Sequence, residues 1–192
     1  MTASDTEAST LNDIDQARLI AAGDAEALRV FVDDHYSSVL RFMRHLTRSI
    51  EDAEDLTQQA FLRARENIAS YRGGSSLRTW LHRVAFHEYT HWRRKQRPLM
   101  RLSHREIAPE PGFHACVEGA ALLDALHLLP DPLREAFLLF EVQELTLEEV
   151  AAVMRVPKGT VKSRLHYARL RLRTLLQDQE ETTYGTTACE RS

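Results

Sequence analysis

The segment Leu145 to Arg173, LTLEEVAAVMRVPKGTVKSRLHYARLRLR, constrains the fold most, because two helical patterns meet there across a proline. Leu147, Val150, Ala151 and Met154 recur at helical spacing and make one apolar face. Thr146 stands where a helix N-cap belongs, and Glu148 and Glu149 place negative charge in the first turn, where the helix dipole favours it. The helix cannot pass Pro157, whereas a proline is tolerated at the start of the next one. Val161, Leu165, Ala168 and Leu172 then form a second stripe. Two short helices joined by a tight turn are a helix-turn-helix.

At about 100° per residue, the side of the second helix opposite its apolar stripe carries Gly159, Ser163, His166, Tyr167 and Leu170. Lys162, Arg169 and Arg173 flank that strip on one edge, Arg164 and Arg171 on the other, and no acid occurs from Arg155 to Arg173. An ordinary amphipathic helix with a solvated basic face would also be cationic. The turn, the glycine, the proline and the charge bias together fit a helix in a DNA major groove, with neutral side chains at base edges and cations at phosphates on both walls.

A net charge of -3 over 192 residues taken alone argues against a polyanion ligand, but its distribution does not. Between Arg72 and Arg105 the chain places nine Arg and Lys residues against one acid, Glu88. Acids gather instead near the N-terminus, in Glu51 to Asp55, and after Gln177. Two basic regions on an acidic body predict nucleic-acid binding in two places, with an acidic surface left for a protein partner. Only Cys116 and Cys189 are present, which is no disulfide framework, and no apolar run is long enough to span a membrane. The N-terminus lacks a signal-peptide pattern, so the expectation is a soluble, cytoplasmic protein.

In chain order, residues 1–10 are small, polar and acidic and read as a loose segment. Asn12 or Asp13 can cap a helix ending at Gly23; Asp24 opens a long one with Ala27, Leu28, Phe31, Val32, Tyr36, Val39, Leu40, Met43 and Leu46 on its buried face. Ser49 begins a third helix, with Asp52 in capping-box position. Ala53, Leu56, Ala60, Ala64 and Ile68 face inward there, leaving Asp52, Asp55, Gln58, Gln59 and Leu62 outside. Tyr71 to Ser76 is a glycine turn, with Ser75 or Ser76 capping the next helix. That helix carries Leu77, Leu81, Val84, Ala85 and Trp92 near one face and Trp80, Arg83, His87 and His91 along its flank. Rings interleaved with arginines suit unpaired bases, which stack on aromatics while guanidiniums hold the backbone. Glu88 falls on the apolar stripe without an evident reason. Pro98 is expected to end the helix, residues 98–119 to form an extended linker, and Leu122, Leu123, Leu126 and Leu129 to open a second helical unit punctuated by Pro130-Asp131-Pro132. The prediction is an all-α chain: a loose segment over 1–10, a helical bundle over 11–97, the linker, a helix-turn-helix bundle over 120–177 and a polar tail over 178–192.

The runs DAEDLTQQAFLRA, SYRGGSSLRTWLHRVA and LHLLPDPLREAFLLFEVQELTLEEVAAVMRVPKGTVKSRLHYARLRLR resemble, in order and over residues 24–176, the extracytoplasmic function (ECF) group of bacterial sigma factors. The resemblance implies a sigma-2 and a sigma-4 domain, no enzymatic activity, no cofactor or metal, and recruitment of core RNA polymerase to promoters. It places Asp52, Asp55, Gln58, Gln59 and Phe61 in the segment that docks on the clamp helices of the β′ subunit. Sigma-4 would meet the β flap. Tyr71, Arg72, Ser75 and Ser76 match the loop that holds a base flipped from the -10 element, and Trp80, Arg83, His87 and His91 the helix that reads it. Lys158, Thr160, Lys162, Ser163, Arg164, His166 and Tyr167 match the -35 reading helix. The implied partners are core polymerase, promoter DNA and an anti-sigma factor, with no membrane insertion. Gln59 departs from the usual glutamate, His87 and His91 from asparagine, and Tyr167 from arginine, so the promoter sequence does not carry over.

Two rival readings exist. His87-Glu88-Tyr89-Thr90-His91 fits H-E-x-x-H, in which histidines four apart share a zinc ion and the glutamate activates water. The helix runs on into Arg93-Arg94-Lys95, and no third ligand is evident in the sequence. A repressor-type protein using only the C-terminal helix-turn-helix would bind duplex DNA without polymerase. His114 and Cys116 make an isolated pair in the linker.

Overall fold

In the computed structural model the backbone is described for residues 3–47, 49–102 and 117–188, and side chains within 12–47, 49–96 and 122–177. Eight α-helices and no strand occur among the described residues: α1 (Ala3–Ala21), α2 (Ala25–Leu46), α3 (Ile50–Asn67), α4 (Leu77–Leu102), α5 (Val117–Leu128), α6 (Asp131–Phe137), α7 (Leu147–Met154) and α8 (Lys158–Ala188). The capping chemistry read from the sequence sets several boundaries. Asp24 accepts a hydrogen bond from the Ala27 N–H and opens α2. Ser49 accepts from the Asp52 N–H and opens α3. Gly23, at φ +90°, lies in the left-handed region that ends α1 at no steric cost.

Three boundaries differ from expectation. α1 starts at Ala3 rather than at an Asn12 or Asp13 cap, so residues 3–10, read as loose, are helical. Asp13 works at a distance: its carboxylate accepts from the Leu77 N–H, 2.8 Å away, at the start of α4. α4 passes Pro98 and reaches Leu102, because that proline removes one hydrogen bond near the helix end rather than from its middle. α8 likewise continues through the polar tail to Ala188, where glutamine and glutamate favour helix. Of the expected linker, residues 103–116 lie outside the described residues, with His114 and Cys116; Cys189 does too.

The first unit packs α2 against α3 and α3 against α4, with α1 across α2, α4 and the 3-10 turn Ile68–Ser70. Its core comprises Phe31, Val39, Phe42, Met43, Leu46, Ala53, Leu56, Ala60, Ala64, Leu77, Leu81 and Ala85. Tyr36, expected inside, is exposed, and Phe42, absent from the expected stripe, is fully buried. At about 100° per residue Phe42 falls between Phe31, Val39 and Leu46 on the buried face, whereas Tyr36 falls at its edge. In that second unit α5, α6 and α7 pack on α8. Val161, Leu165, Ala168 and Leu172 are buried as expected, against Val150, Val153 and Met154 of α7. α6 runs into a π-helical turn, Leu138–Val142, which buries Leu138 and Leu139.

Candidate nucleic-acid interface

The helix-turn-helix is set by local chemistry. Thr146 accepts from the Glu149 N–H while the Glu149 carboxylate accepts from the Thr146 N–H at 2.9 Å, a complete capping box. Arg155 closes α7 at φ 55°, ψ 47°, a left-handed conformation unusual for a residue with a side chain. Pro157 accepts at its carbonyl from the Thr160 and Val161 N–H groups, so it precedes α8 rather than sitting inside its first turn.

On α8, Gly159, Lys162, Ser163, His166, Tyr167 and Leu170 are all exposed, and nothing lies within 4 Å of where a Cβ on Gly159 would stand. Tyr167 is 56% exposed with its ring edge-on to His166, so two aromatics project side by side. Thr160 and Arg164 are half-buried, the latter reaching back to the Met154 sulfur at 3.9 Å. The cation count from the sequence needs adjustment. Lys158 is ion-paired with Glu148, and Arg169 with Glu141 at 2.6 Å while its guanidinium covers the Phe140 ring. Lys162, Arg171 and Arg173 are left as exposed positive charges on this face.

On α4 the predicted residues share one flank. His87 and His91 are exposed; Trp80 and Arg83 are half-buried. Trp80 leans edge-on against Tyr71 with centroids 5.9 Å apart. The Arg83 Nε is buried with no hydrogen-bond partner. Tyr71 itself is buried. It is 7% exposed, its hydroxyl donates to the Ser75 carbonyl at 2.6 Å, and burial pushes its pKa up to about 12. Its ring lies inside and braces the loop. Arg72 stays exposed, donating to the Ala69 carbonyl. Ser76 caps α4, accepting from the Thr79 N–H, and Ser75 is half-buried beside it.

On α3, Asp55, Gln58 and Gln59 are exposed and Asp52 half-buried. Phe61 turns inward, edge-on to Phe31 and stacked on Tyr36, so the apolar residue offered outward is Leu62, 52% exposed. Its place among the outward residues of α3 was the signal in the sequence.

Glu88 now has a reason to be where it is. It is half-buried between helices, 3.9 Å from the Arg63 Nε of α3 and 3.7 Å from the His87 Nδ1. The Arg63 guanidinium lies near that carboxylate while hydrogen-bonding Glu66, and no group of three metal-ligating side chains occurs among the described residues. No helix among them is long and apolar enough to cross a membrane.

Comparison with known proteins agrees with this layout. The profile for Sigma-70 region 2 matches residues 31–98, and that for Sigma-70, region 4, matches residues 119–172. The chain is 31% identical to RNA polymerase sigma factor YlaC of Bacillus subtilis, over 77% of this chain and 90% of that one. It is 33% identical to the ECF RNA polymerase sigma factor SigE of Mycolicibacterium smegmatis, over 85% of this chain and 68% of that one. The chain belongs to the ECF group of sigma-70-type sigma factors. Family membership makes it a transcription initiation factor, with region 2 running from within α2 into α4 and region 4 from α5 to the middle of α8. Among solved structures, the sigma factor RpoE of Bartonella quintana, in complex with the anti-sigma factor NepR, superposes with a TM-score of 0.67 at 27% identity, covering 78% of this chain and 96% of that one.

Proposed function

We propose that this sigma factor docks on core RNA polymerase through the outer face of α3 and positions two DNA-reading helices on one promoter. Asp55, Gln58, Gln59 and Leu62 form the polymerase contact, a polar rim around one aliphatic anchor, directed at the β′ clamp helices, while region 4 meets the β flap. The loop Arg72 to Ser76 and the α4 flank of Trp80, Arg83, His87 and His91 hold and read the melted -10 element. Opening it costs a few kcal/mol per unstacked base, which stacking and cationic contacts offset. The exposed strip of α8 reads the -35 element, with Ser163, His166 and Tyr167 at base edges and Lys162, Arg171 and Arg173 at phosphates. The chain works in the cytoplasm and has no catalytic step of its own. An anti-sigma factor is part of this reading, since the Bartonella relative was solved with one.

The observation that carries the reading is the combination, in one family member, of the exposed strip of α8 with Lys162, His166 and Tyr167 and, on the other unit, the α4 flank that exposes His87 and His91 beside half-buried Trp80 and Arg83. Run-off transcription with purified core polymerase across a genomic library tests it. Discrete start sites that disappear with Leu62→Asp are the expected result; no transcription above core polymerase alone would refute it.

A further inference from the structure

His87 and His91 stand four residues apart within α4, a spacing that sets two side chains one above the other on the same face, with Cβ atoms about 5–6 Å apart. Both are exposed, and the His87 side chain keeps 59% of its surface open. The residues between them are turned away: Tyr89 is buried, and the Thr90 hydroxyl donates to the His87 carbonyl at 2.9 Å. Two neutral imidazoles on adjacent turns of one face are a two-point nitrogen chelate. Such donors suit Zn2+, Ni2+ and Cu2+, whereas Mg2+ and Ca2+ prefer oxygen.

Glu88 adds a second observation. Its carboxylate lies 3.7 Å from the His87 Nδ1, too far for a direct hydrogen bond but close enough for its charge to favour a ring that carries a cation. A carboxylate behind one ring nitrogen leaves Nε2 as the metal-facing atom, the arrangement found behind many metal-bound histidines. Glu88 is held at that place, with 15% of its side chain exposed and the Arg63 Nε 3.9 Å away.

Nearby cations limit the affinity without removing a ligand. Arg83, one turn before His87, is half-buried; Arg94 donates through Nε to the Thr90 carbonyl at 3.3 Å; Lys95, one turn after His91, is exposed. Two protein ligands also leave at least half of a four-coordinate sphere open. Those positions accept an oxygen or nitrogen from another molecule. In the promoter reading above, the molecule laid along this flank is the melted -10 strand, whose phosphates and base nitrogens are such donors.

We propose that His87 and His91 chelate one first-row transition-metal dication, and that its open positions take donors from the melted strand and tighten its hold on α4. The second half rests on the promoter reading; the chelate does not. Two added charges that each neutralise a phosphate should steepen the slope of log affinity against log salt for a single strand by about 1.4, at about 0.7 per charge.

Titration calorimetry of the full, untagged chain with NiCl2, CuCl2 and MgCl2 tests the chelate. Cu2+ should bind more tightly than Ni2+, and Mg2+ should give no heat, because an open site imposes no geometry and follows the intrinsic order of the metals. Cys116 and Cys189 can also take these ions, so the reading is the equivalent lost in a His87→Ala, His91→Ala double variant with helicity by circular dichroism unchanged. Each single variant should weaken that equivalent by about 100-fold, since the second imidazole binds at a high effective concentration. An unchanged stoichiometry in the double variant, or single variants that bind like the wild type, would overturn the chelate. Binding of holoenzyme to a -10 single strand, taken from a promoter that run-off transcription returns, tests the grip. Ni2+ should tighten it and steepen its salt slope for the wild type and leave the double variant unmoved. A wild-type holoenzyme indifferent to Ni2+, or weakened by it, would overturn the grip. Run-off transcription without any start site would refute the promoter reading, and the grip with it, while the chelate would still stand on the titration.

Discussion

Replacing Thr146 with alanine removes one hydroxyl and tests two levels of the structure together. α7 has eight residues, too few to hold a helix in isolation, so its start depends on the cap and on packing. The hydroxyl is 3.3 Å from the Glu149 N–H it caps and 2.9 Å from the carboxylate to which it donates. Losing an N-cap of this kind costs about 1 kcal/mol, within a range of roughly 0.5–2. A unit of about 60–100 residues that melts alone loses about 4–8 °C in Tm per kcal/mol, whereas one cooperative block of about 150–250 residues loses about 2–4 °C. With Glu149 also tied to Thr79 of α4, the two units should melt together. The expected outcome is one calorimetric transition lowered by about 2–4 °C. No shift would refute the capping argument, and a separate early transition falling by twice that amount would refute the coupling.

The same cap has a pH signature whose sign is fixed. Burial opposes the charge on Glu149, but the hydrogen bonds from Thr79 and Thr146 outweigh it and hold the pKa below 4.5. Its stabilising contribution is therefore present above pH 4.5 and lost as pH falls through the depressed value. The gap between wild type and Thr146→Ala should be constant above about pH 5 and shrink below it.

Other outcomes follow from the interface. Leu62→Asp should leave stability within about 0.5 kcal/mol while abolishing core polymerase binding on native gels, because Leu62 is exposed and contributes to no core. Lys162→Ala should reduce the slope of log affinity against log salt by about 0.9 for a -35 duplex, the release of one counterion, measured by anisotropy; Lys158→Ala, already paired with Glu148, should change it less. Glu135, pushed up to about 7 by burial despite Arg93, Arg134 and Arg164 and reinforced by Asp131, favours the folded chain below pH 4.5 and withdraws that support as pH rises through about 7. Urea melts of Glu135→Gln should lack that alkaline decline. His82, lowered by burial and facing Arg78 and His35, acts in the opposite direction: its contribution is present above pH 6.5 and lost on acidification, so His82→Asn should flatten the acid side.

Where a residue's role is set by near neighbours in the chain, its place could be read from spacing alone. The Val161, Leu165, Ala168 and Leu172 stripe and the caps at Asp24, Ser49 and Thr146 are of this kind, and each stands where it was expected. Where the role is set by an element far along the chain, periodicity fails in a particular way. Tyr36 of α2, counted on the buried stripe, lies at its edge and stacks on Phe61 of α3 while staying 42% exposed. Tyr71 belongs to the loop placed near DNA by resemblance alone, and spacing gives no sign that its hydroxyl donates to the Ser75 carbonyl with the ring buried. Glu88 looked misplaced on an apolar stripe until Arg63 arrived from α3. Gln143 is the extreme case, a neutral side chain after a π turn that breaks the 3.6-residue period, with partners Ser38 and His82 more than 60 residues earlier. A polar residue that is buried without a local reason should have a distant one. The two cases differ in reach: Glu88 lies near Arg63 within its own unit, whereas Gln143 finds Ser38 and His82 across the two units.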